Sequence, residues 1–236
     1  MNKLIELQPA YLLHSRPFRD SSLLLDFLTR DYGRVSAIAR GARRSKAKNK
    51  ALLQPFVPVQ ISLLGKNELK TLKTIELLSG ALSLKGANLF SGLYINEIAV
   101  RLMHGHDSDT LLFDEYEKTL NDLSEGKDLE PVLRNFELNL LGALGYGVEF
   151  AYEADTGDEI VMDKWYYFQH ESGFILLQDD AQIDKSAYFS GKELIAIDQR
   201  DFSKPETRLL AKRILRNVLR LHLGDKPLKS RQLFAR

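Results

Sequence analysis

Cysteine is absent from the 236 residues. That excludes disulfides and thiolate-held metals, and it fits a reducing compartment. No run of about 18 apolar residues occurs, so no membrane-spanning helix is expected. The first residues, Met1-Asn2-Lys3-Leu4-Ile5-Glu6, carry an acid where a signal peptide is uninterrupted and apolar. Export is therefore not expected, and a cytoplasmic location is. Internal repeats and low-complexity tracts are also missing.

Catalytic signatures are missing as well. The sequence holds no G-x-S-x-G, no G-x-x-x-x-G-K-[ST] and no G-x-G-x-x-G. Gly41-Ala42-Arg43-Arg44-Ser45 resembles a phosphate loop only superficially, because it lacks the spacing and the lysine. His104-Gly105-His106-Asp107-Ser108-Asp109 is the one His/Asp cluster, and it falls where a helix should end. Histidines near terminal carbonyls explain it better than a metal does. His14, His170 and His222 stand alone, and Asp179-Asp180 sits in a plain turn. With no nucleophile, base and oxyanion site together, no enzyme is expected, and neither a cofactor nor a metal site.

Charge is nearly balanced overall, at +1, but not along the chain. Residues 1–80 carry +8, residues 81–200 carry −14, and residues 201–236 carry +7. A basic front, an acidic middle and a basic tail suggest segments with different partners. Chance variation along a solvated surface is the plainer account, but the swing coincides with a change in hydrophobic period.

Before residue 80 the pattern is that of short strands, at 7–14, 23–28, 34–39, 57–64 and 69–77. Arg30-Asp31-Tyr32-Gly33 and Gly65-Lys66-Asn67-Glu68 read as hairpin turns. Five short strands suit a small barrel, of which the OB-fold is the commonest five-stranded example; an SH3-like barrel gives nearly the same pattern. After Gly80 the period becomes helical. Helices are predicted over 88–103, capped by Asn88 and stopped by Gly105, over 109–123, over 131–144 and over 205–223. The last would bury Leu209, Leu210, Ile214, Val218 and Leu221. Residues 149–163 read as a loop, and 165–170 with 174–178 as a hairpin.

The fold class expected is α+β. An N-terminal five-stranded OB-fold barrel (1–80) precedes a mainly helical domain (81–236) with a small β-hairpin insertion at about 149–200.

The strongest signal is Arg40-Gly41-Ala42-Arg43-Arg44-Ser45-Lys46-Ala47-Lys48-Asn49-Lys50, with six cations and no acid. Such clusters bind phosphates and release counterions. The DNA-binding candidates are Arg34, Arg40, Arg43, Arg44, Lys46, Lys48 and Lys50, extended by Lys66, Lys70 and Lys73. The tail adds Lys226, Lys229 and Arg231. Phe18, Phe27, Tyr32 and Phe56 are candidate stacking platforms, although aromatics in small barrels are mostly buried. A second candidate lies on the third helix and its exit. There Arg134, Leu140 and Tyr146 could bind an apolar, acidic peptide end, with Arg134 at the rim.

The chain resembles the RecO family along its length. The resemblance is carried by His14-Ser15-Arg16-Pro17-Phe18, Ser21-Ser22-Leu23-Leu24-Leu25-Asp26, Gly33-Arg34-Val35 and Ala39-Arg40-Gly41-Ala42-Arg43. It continues in Leu53-Gln54-Pro55-Phe56, Gly92-Leu93-Tyr94-Ile95-Asn96-Glu97, Phe136-Glu137-Leu138, Leu144-Gly145-Tyr146-Gly147 and the tail Lys226-Pro227-Leu228-Lys229-Ser230-Arg231. It implies an OB-fold and a helical domain, and a nucleoid-associated mediator of DNA repair and recombination. Such a protein binds single- and double-stranded DNA, anneals complementary strands, works with RecR and contacts the acidic tail of single-stranded-DNA-binding protein so that RecA can load. Many relatives carry a four-cysteine zinc motif in the helical domain. This chain departs from that pattern, so its hairpin is expected to be held by packing through Trp165, Tyr167 and Phe174. Two alternatives stand beside this reading: a protein adaptor whose basic loop is incidental, and a DNA-acting nuclease.

Overall fold

A computed structural model describes residues 4–44, 49–105, 110–169, 172–178, 187–224 and 226–235. The chain divides into two compact units, Met1–Val132 with Leu223–Arg236, and Leu133–His222.

The first unit opens with five strands: β1 (Leu4–Phe18), β2 (Ser22–Thr29), β3 (Gly33–Ala39), β4 (Pro58–Leu64) and β5 (Lys70–Leu77). They pair in the order β1-β2-β3-β5-β4, and β4 returns to β1. The β3–β5 seam is parallel and only two residue pairs long, Ala37 with Lys70 and Ile38 with Thr71. A five-stranded Greek-key barrel that is nearly open at one seam is the OB-fold. β3 shows the cause in its strict alternation, with Val35, Ala37 and Ala39 inward and Arg34, Ser36 and Ile38 outward. Its turn needs Gly33, whose φ of 60° lies in the left-handed region.

β1 extends past both ends of the span read from the sequence. Residues 15–18, Ser-Arg-Pro-Phe, are largely exposed and carry no hydrophobic period, yet they pair with β2 as far as Phe18–Ser22. Register irregularities at Ile5/Gln8 and Leu12/His14 bend the strand, so that β4 and β2 share it. Inside, Leu12, Leu25, Phe27, Val59, Ile61 and Leu63 are almost fully buried.

Two helices follow, α1 (Gly86–Leu102) and α2 (Thr110–Ser124). The sequence placed a cap at Asn88, but the N-cap is Lys85, and Asn88 Nδ2 donates instead to Leu123 O at 2.7 Å. That bond satisfies a carbonyl at the end of α2. α1 is tied to the barrel through buried Asn96. Its Nδ2 donates to Leu13 O (3.1 Å), and its Oδ1 accepts from the Tyr116 hydroxyl (2.6 Å). Burial pushes the Tyr116 hydroxyl well above the usual tyrosine range, with Tyr11 adding to the push, so the phenol stays a donor. At Gly92 the helix approaches closely: a Cβ would lie 2.7 Å from Leu84 Cδ1 and 2.9 Å from the Phe56 ring.

The second unit holds most of α3 (Leu129–Ala143), a three-stranded sheet in the order β7-β6-β8, and two further helices. The strands are β6 (Trp165–Gln169), β7 (Gly173–Leu176) and β8 (Tyr188–Ser190), and the helices are α4 (Gly191–Asp198) and α5 (Pro205–Leu223). β8 and α4 are absent from the sequence reading. Phe174 packs as expected, but β6 is one residue out of phase with the expectation. Tyr166 and Phe174 are fully buried, while Trp165 is 53% exposed and Tyr167 half-buried. A shift of one position exchanges the faces of a strand. Phe150, Phe168 and Phe189 surround Phe174 with ring centroids 5.1–5.5 Å apart.

α5 is also rotated from its expected phase. Ala211, Ile214, Leu215, Val218 and Leu219 are buried, whereas Leu209 is 71% and Leu221 51% exposed. Small Ala211 and Thr207 on the buried side add little hydropathy, so the leucines misplaced the stripe.

Candidate nucleic-acid interface

The basic loop leaves β3 at Arg40 and turns at Gly41, where Arg44 N–H donates to Gly41 O at 3.1 Å. Arg43 holds the loop to the β1–β2 turn. Its N–H donates to Ser21 O (3.0 Å), and its guanidinium donates to Arg19 O and Asp20 O (3.2 and 3.4 Å). Arg40, Arg43, Arg44 and Lys50 are all exposed; Lys46 and Lys48 lie outside the described residues. A cleft of about 220 Å³ lies between this loop and β5. It is lined by Arg40, Ala42, Asn49, Lys50, Leu72 and Lys73. Three exposed cations, two from the ends of the loop and one from β5, thus face one cleft, and among the described residues no acid lines it.

Two of the sequence candidates are held differently. Arg34 donates to Val100 O (2.8 Å) and Met103 O (2.7 Å) at the end of α1, and it pairs with Asp26 at 3.3 Å. Its guanidinium satisfies carbonyls that the helix leaves open. Lys70 is buried, and its ammonium donates to Gly65 O at 3.2 Å in the β4–β5 turn. Lys66 is exposed in that turn. Among the candidate platforms, Phe27 and Phe56 are core residues, while Phe18 and Tyr32 are half-buried. The Arg19 guanidinium lies 5.2 Å from the Phe18 ring centre.

The basic tail is fastened to α1. Glu97 accepts from Lys229 N–H (2.9 Å), Ser230 N–H (2.8 Å) and the Ser230 hydroxyl (2.7 Å). Arg101 donates to Leu223 O at 2.6 Å and Pro227 O at 3.4 Å. Lys226, Lys229 and Arg231 are left exposed. The tail forms one wall of a groove of about 390 Å³, with His14, Leu93, Val100 and Arg101 on the others. The sequence reading missed this clasp, since nothing local links Glu97 to residues more than 130 positions away.

Burial alone would raise the Glu97 pKa. The three hydrogen bonds and Arg101 outweigh it and hold the carboxyl below the usual glutamate range. A depressed folded pKa means the clasp is at full strength above the ordinary glutamate value. It is lost as pH falls through the folded one. The expected result is that the protection of the Lys229 and Ser230 amides, relative to the intrinsic exchange rate at each pH, falls on acidification below about pH 4.5. Glu97→Gln should lower it at neutral pH by roughly tenfold. Exchange that ignores both changes would show that the clasp does not hold the tail.

In the second unit, Arg134 and Leu140 are buried, at 4% and 0% exposure, and Arg134 pairs with Glu137 at 2.9 Å. Arg134 is therefore not at a rim. Tyr146 is the one of the three on an open surface. It lines a cleft of about 540 Å³ with Phe168, Val218, Leu221 and His222. Its ring stacks on His222 at 3.8 Å between centroids.

The comparisons with known proteins agree with one another. Residues 1–81 match the family described as "Recombination protein O N terminal", and residues 84–232 match "Recombination protein O C terminal". The chain is 43% identical to the DNA repair protein RecO of Cellvibrio japonicus, over 98% of this chain and 97% of the relative. It is 42% identical to that of Aliivibrio salmonicida, over 97% and 94%. The DNA repair protein RecO of Vibrio cholerae El Tor Inaba is also 42% identical, over 97% and 93%.

Proposed function

The chain belongs to the RecO family of DNA repair and recombination proteins, and we propose that it is a non-catalytic mediator that binds single- and double-stranded DNA and anneals complementary strands. The observation that carries this reading is the convergence of Arg40, Lys50 and Lys73 on one cleft of an OB-fold. Loops beside the barrel face form the nucleic-acid groove in that fold. Arg43, Arg44 and Lys66 extend the cationic surface, Lys46 and Lys48 belong to the same basic run of the sequence, and Lys226, Lys229 and Arg231 add a second basic patch. Lys70 adds positive field from its fastened position, whereas the charge of Arg34 is offset by Asp26. Neutralising two strands at once lowers their mutual repulsion, and the strands pair.

For the domains we propose residues 1–80 as the OB-fold that binds nucleic acid and residues 81–236, with the insertion at about 149–200, as a helical domain that serves protein partners, apart from its basic tail. The Tyr146 cleft is our site for the acidic tail of single-stranded-DNA-binding protein, with His222 as the nearby base. Arg134 and Leu140 support it from within α3, from which the Tyr146 loop springs through Tyr146 N–H to Leu141 O at 2.8 Å. Cooperation with RecR and RecA loading on covered strands complete the role, in the cytoplasm at the nucleoid. Among the described residues no helix is long and apolar enough to cross a membrane.

The test is annealing of complementary oligonucleotides, bare and coated with single-stranded-DNA-binding protein, across a salt series. Acceleration of both, falling as salt rises, is the expected result. Acceleration of bare strands alone would remove the tail site. No acceleration, with no salt-dependent binding, would leave a protein adaptor as the better reading.

A further inference from the structure

The sequence reading took α5 as a core helix and gave its cations no role. From Thr207 to Leu223 this helix carries five Lys/Arg and no acid. The rest of the second unit is acidic, with six cations against fifteen acids. Because the apolar stripe is Thr207, Ala211, Ile214, Leu215, Val218 and Leu219, the opposite face is Leu209, Lys212, Arg213, Arg216 and Arg220. Arg213 is engaged, donating to Tyr188 O at 2.9 Å with its guanidinium 4.4 Å from the Phe189 ring centre. Arg216 and Arg220 are exposed, and neither has an ion pair among the described residues.

We infer that this face of α5 is a second phosphate-binding surface, taking the backbone of a nucleic-acid strand on the second unit. The inference rests on the DNA-binding reading above and adds a site that reading does not include. Lys212, Arg216 and Arg220 follow one another at single-turn intervals, each about 6 Å further along the axis. They form a straight cationic row of about 12 Å. The helix dipole explains a cation in the last turn, where Arg220 lies, but not one or two turns earlier at Arg216 and Lys212. A protein partner would call for apolar or aromatic anchors seated in a pocket. This face offers only Leu209 at one end, and its cavity-lining neighbours Val218, Leu221 and His222 lie to the other side of the helix. A row of cations without a pocket is the electrostatic footprint of phosphates. With one strand on the barrel cleft and another on α5, a single chain has two separate places for the two strands that it pairs.

The experiment compares the full chain with Arg216→Gln/Arg220→Gln and with Arg216→Lys/Arg220→Lys, using a labelled single-stranded oligonucleotide across a salt series. Both positions are exposed, and circular dichroism checks that the fold is kept. The glutamine variant should bind roughly tenfold more weakly at low salt, and its log–log salt slope should be shallower by about 1.4, the loss of two phosphate contacts. The lysine variant should keep the slope of the natural chain. If the natural chain shows a salt-dependent affinity that the glutamine variant retains in full, the α5 surface is refuted and the DNA-binding reading stands. Loss of binding to an acidic peptide, with DNA binding intact, would overturn it in favour of a protein surface. If the natural chain has no salt-dependent affinity at all, both readings fall together.

Discussion

Replacing Arg40, Arg43, Arg44, Lys50 and Lys73 together by alanine is expected to weaken binding to single-stranded DNA by about a hundredfold or more at low salt. The log–log salt slope should become shallower by about 3.5, from roughly 0.7 for each of five phosphate contacts. All five side chains are exposed, and none forms an ion pair among the described residues, so removing them takes little from the folded state. Arg43 is the exception, through its bonds to Arg19 O and Asp20 O, which lie at the surface and are worth a few tenths of a kcal/mol. The loss should be the same for every base sequence, because phosphate contacts position a strand without reading it. Fluorescence anisotropy with two unrelated oligonucleotides measures both features. An affinity that is unchanged at low salt would remove the barrel cleft as the DNA site. A loss confined to one sequence would mean that bases, not phosphates, are being read.

The five-residue set could be chosen only in part from the sequence. The run from Arg40 to Lys50 is visible as a run. Lys73 is not, because it joins the cleft through the short β3–β5 seam, a pairing of strands far apart in the chain. The barrel strands were legible where one face is buried and the other solvated, as in β3, and where a turn is sharp, as at Gly33. β1 was legible only in its middle, since its ends pair without a hydrophobic period. β8, with three residues, is too short to show any period, and α4 follows it directly. Misphasing of α5 and β6 has one cause. Large apolar side chains were read as buried, yet Trp165 and Leu209 are exposed while Tyr166 and Ala211 take the interior. The Glu97 clasp was hidden for another reason: it is a tertiary contact between an ordinary helix acid and a distant backbone.

Breaking the Arg134–Glu137 pair should cost more stability than any other single change considered for the second unit. The two side chains are 5% and 2% exposed, and the ion pair is 2.9 Å long. Arg134→Met leaves a buried carboxylate without its cation, and Glu137→Leu leaves a buried guanidinium without its anion. Each should lower stability by about 3–5 kcal/mol. The combined variant Arg134→Met/Glu137→Leu should recover most of that loss, because a buried pair exchanged for apolar side chains of similar volume is often neutral. The pair is also incompletely satisfied, with Arg134 Nε lacking a hydrogen-bond partner among the described residues, which favours the apolar exchange further. Urea unfolding of the three variants closes the cycle. Additive losses in the combined variant would show that the two charges are stabilised separately rather than by each other. The same protein then decides what Arg134 is for. Reversing its charge alone would place two carboxylates side by side in the interior and would test folding, not recognition. The apolar double variant keeps the fold and removes the charge. Full affinity of that variant for an acidic tail peptide would make Arg134 a residue of the helix core, with the Tyr146 cleft doing the binding. Lost affinity in a protein that still folds would return the charge to the tail site.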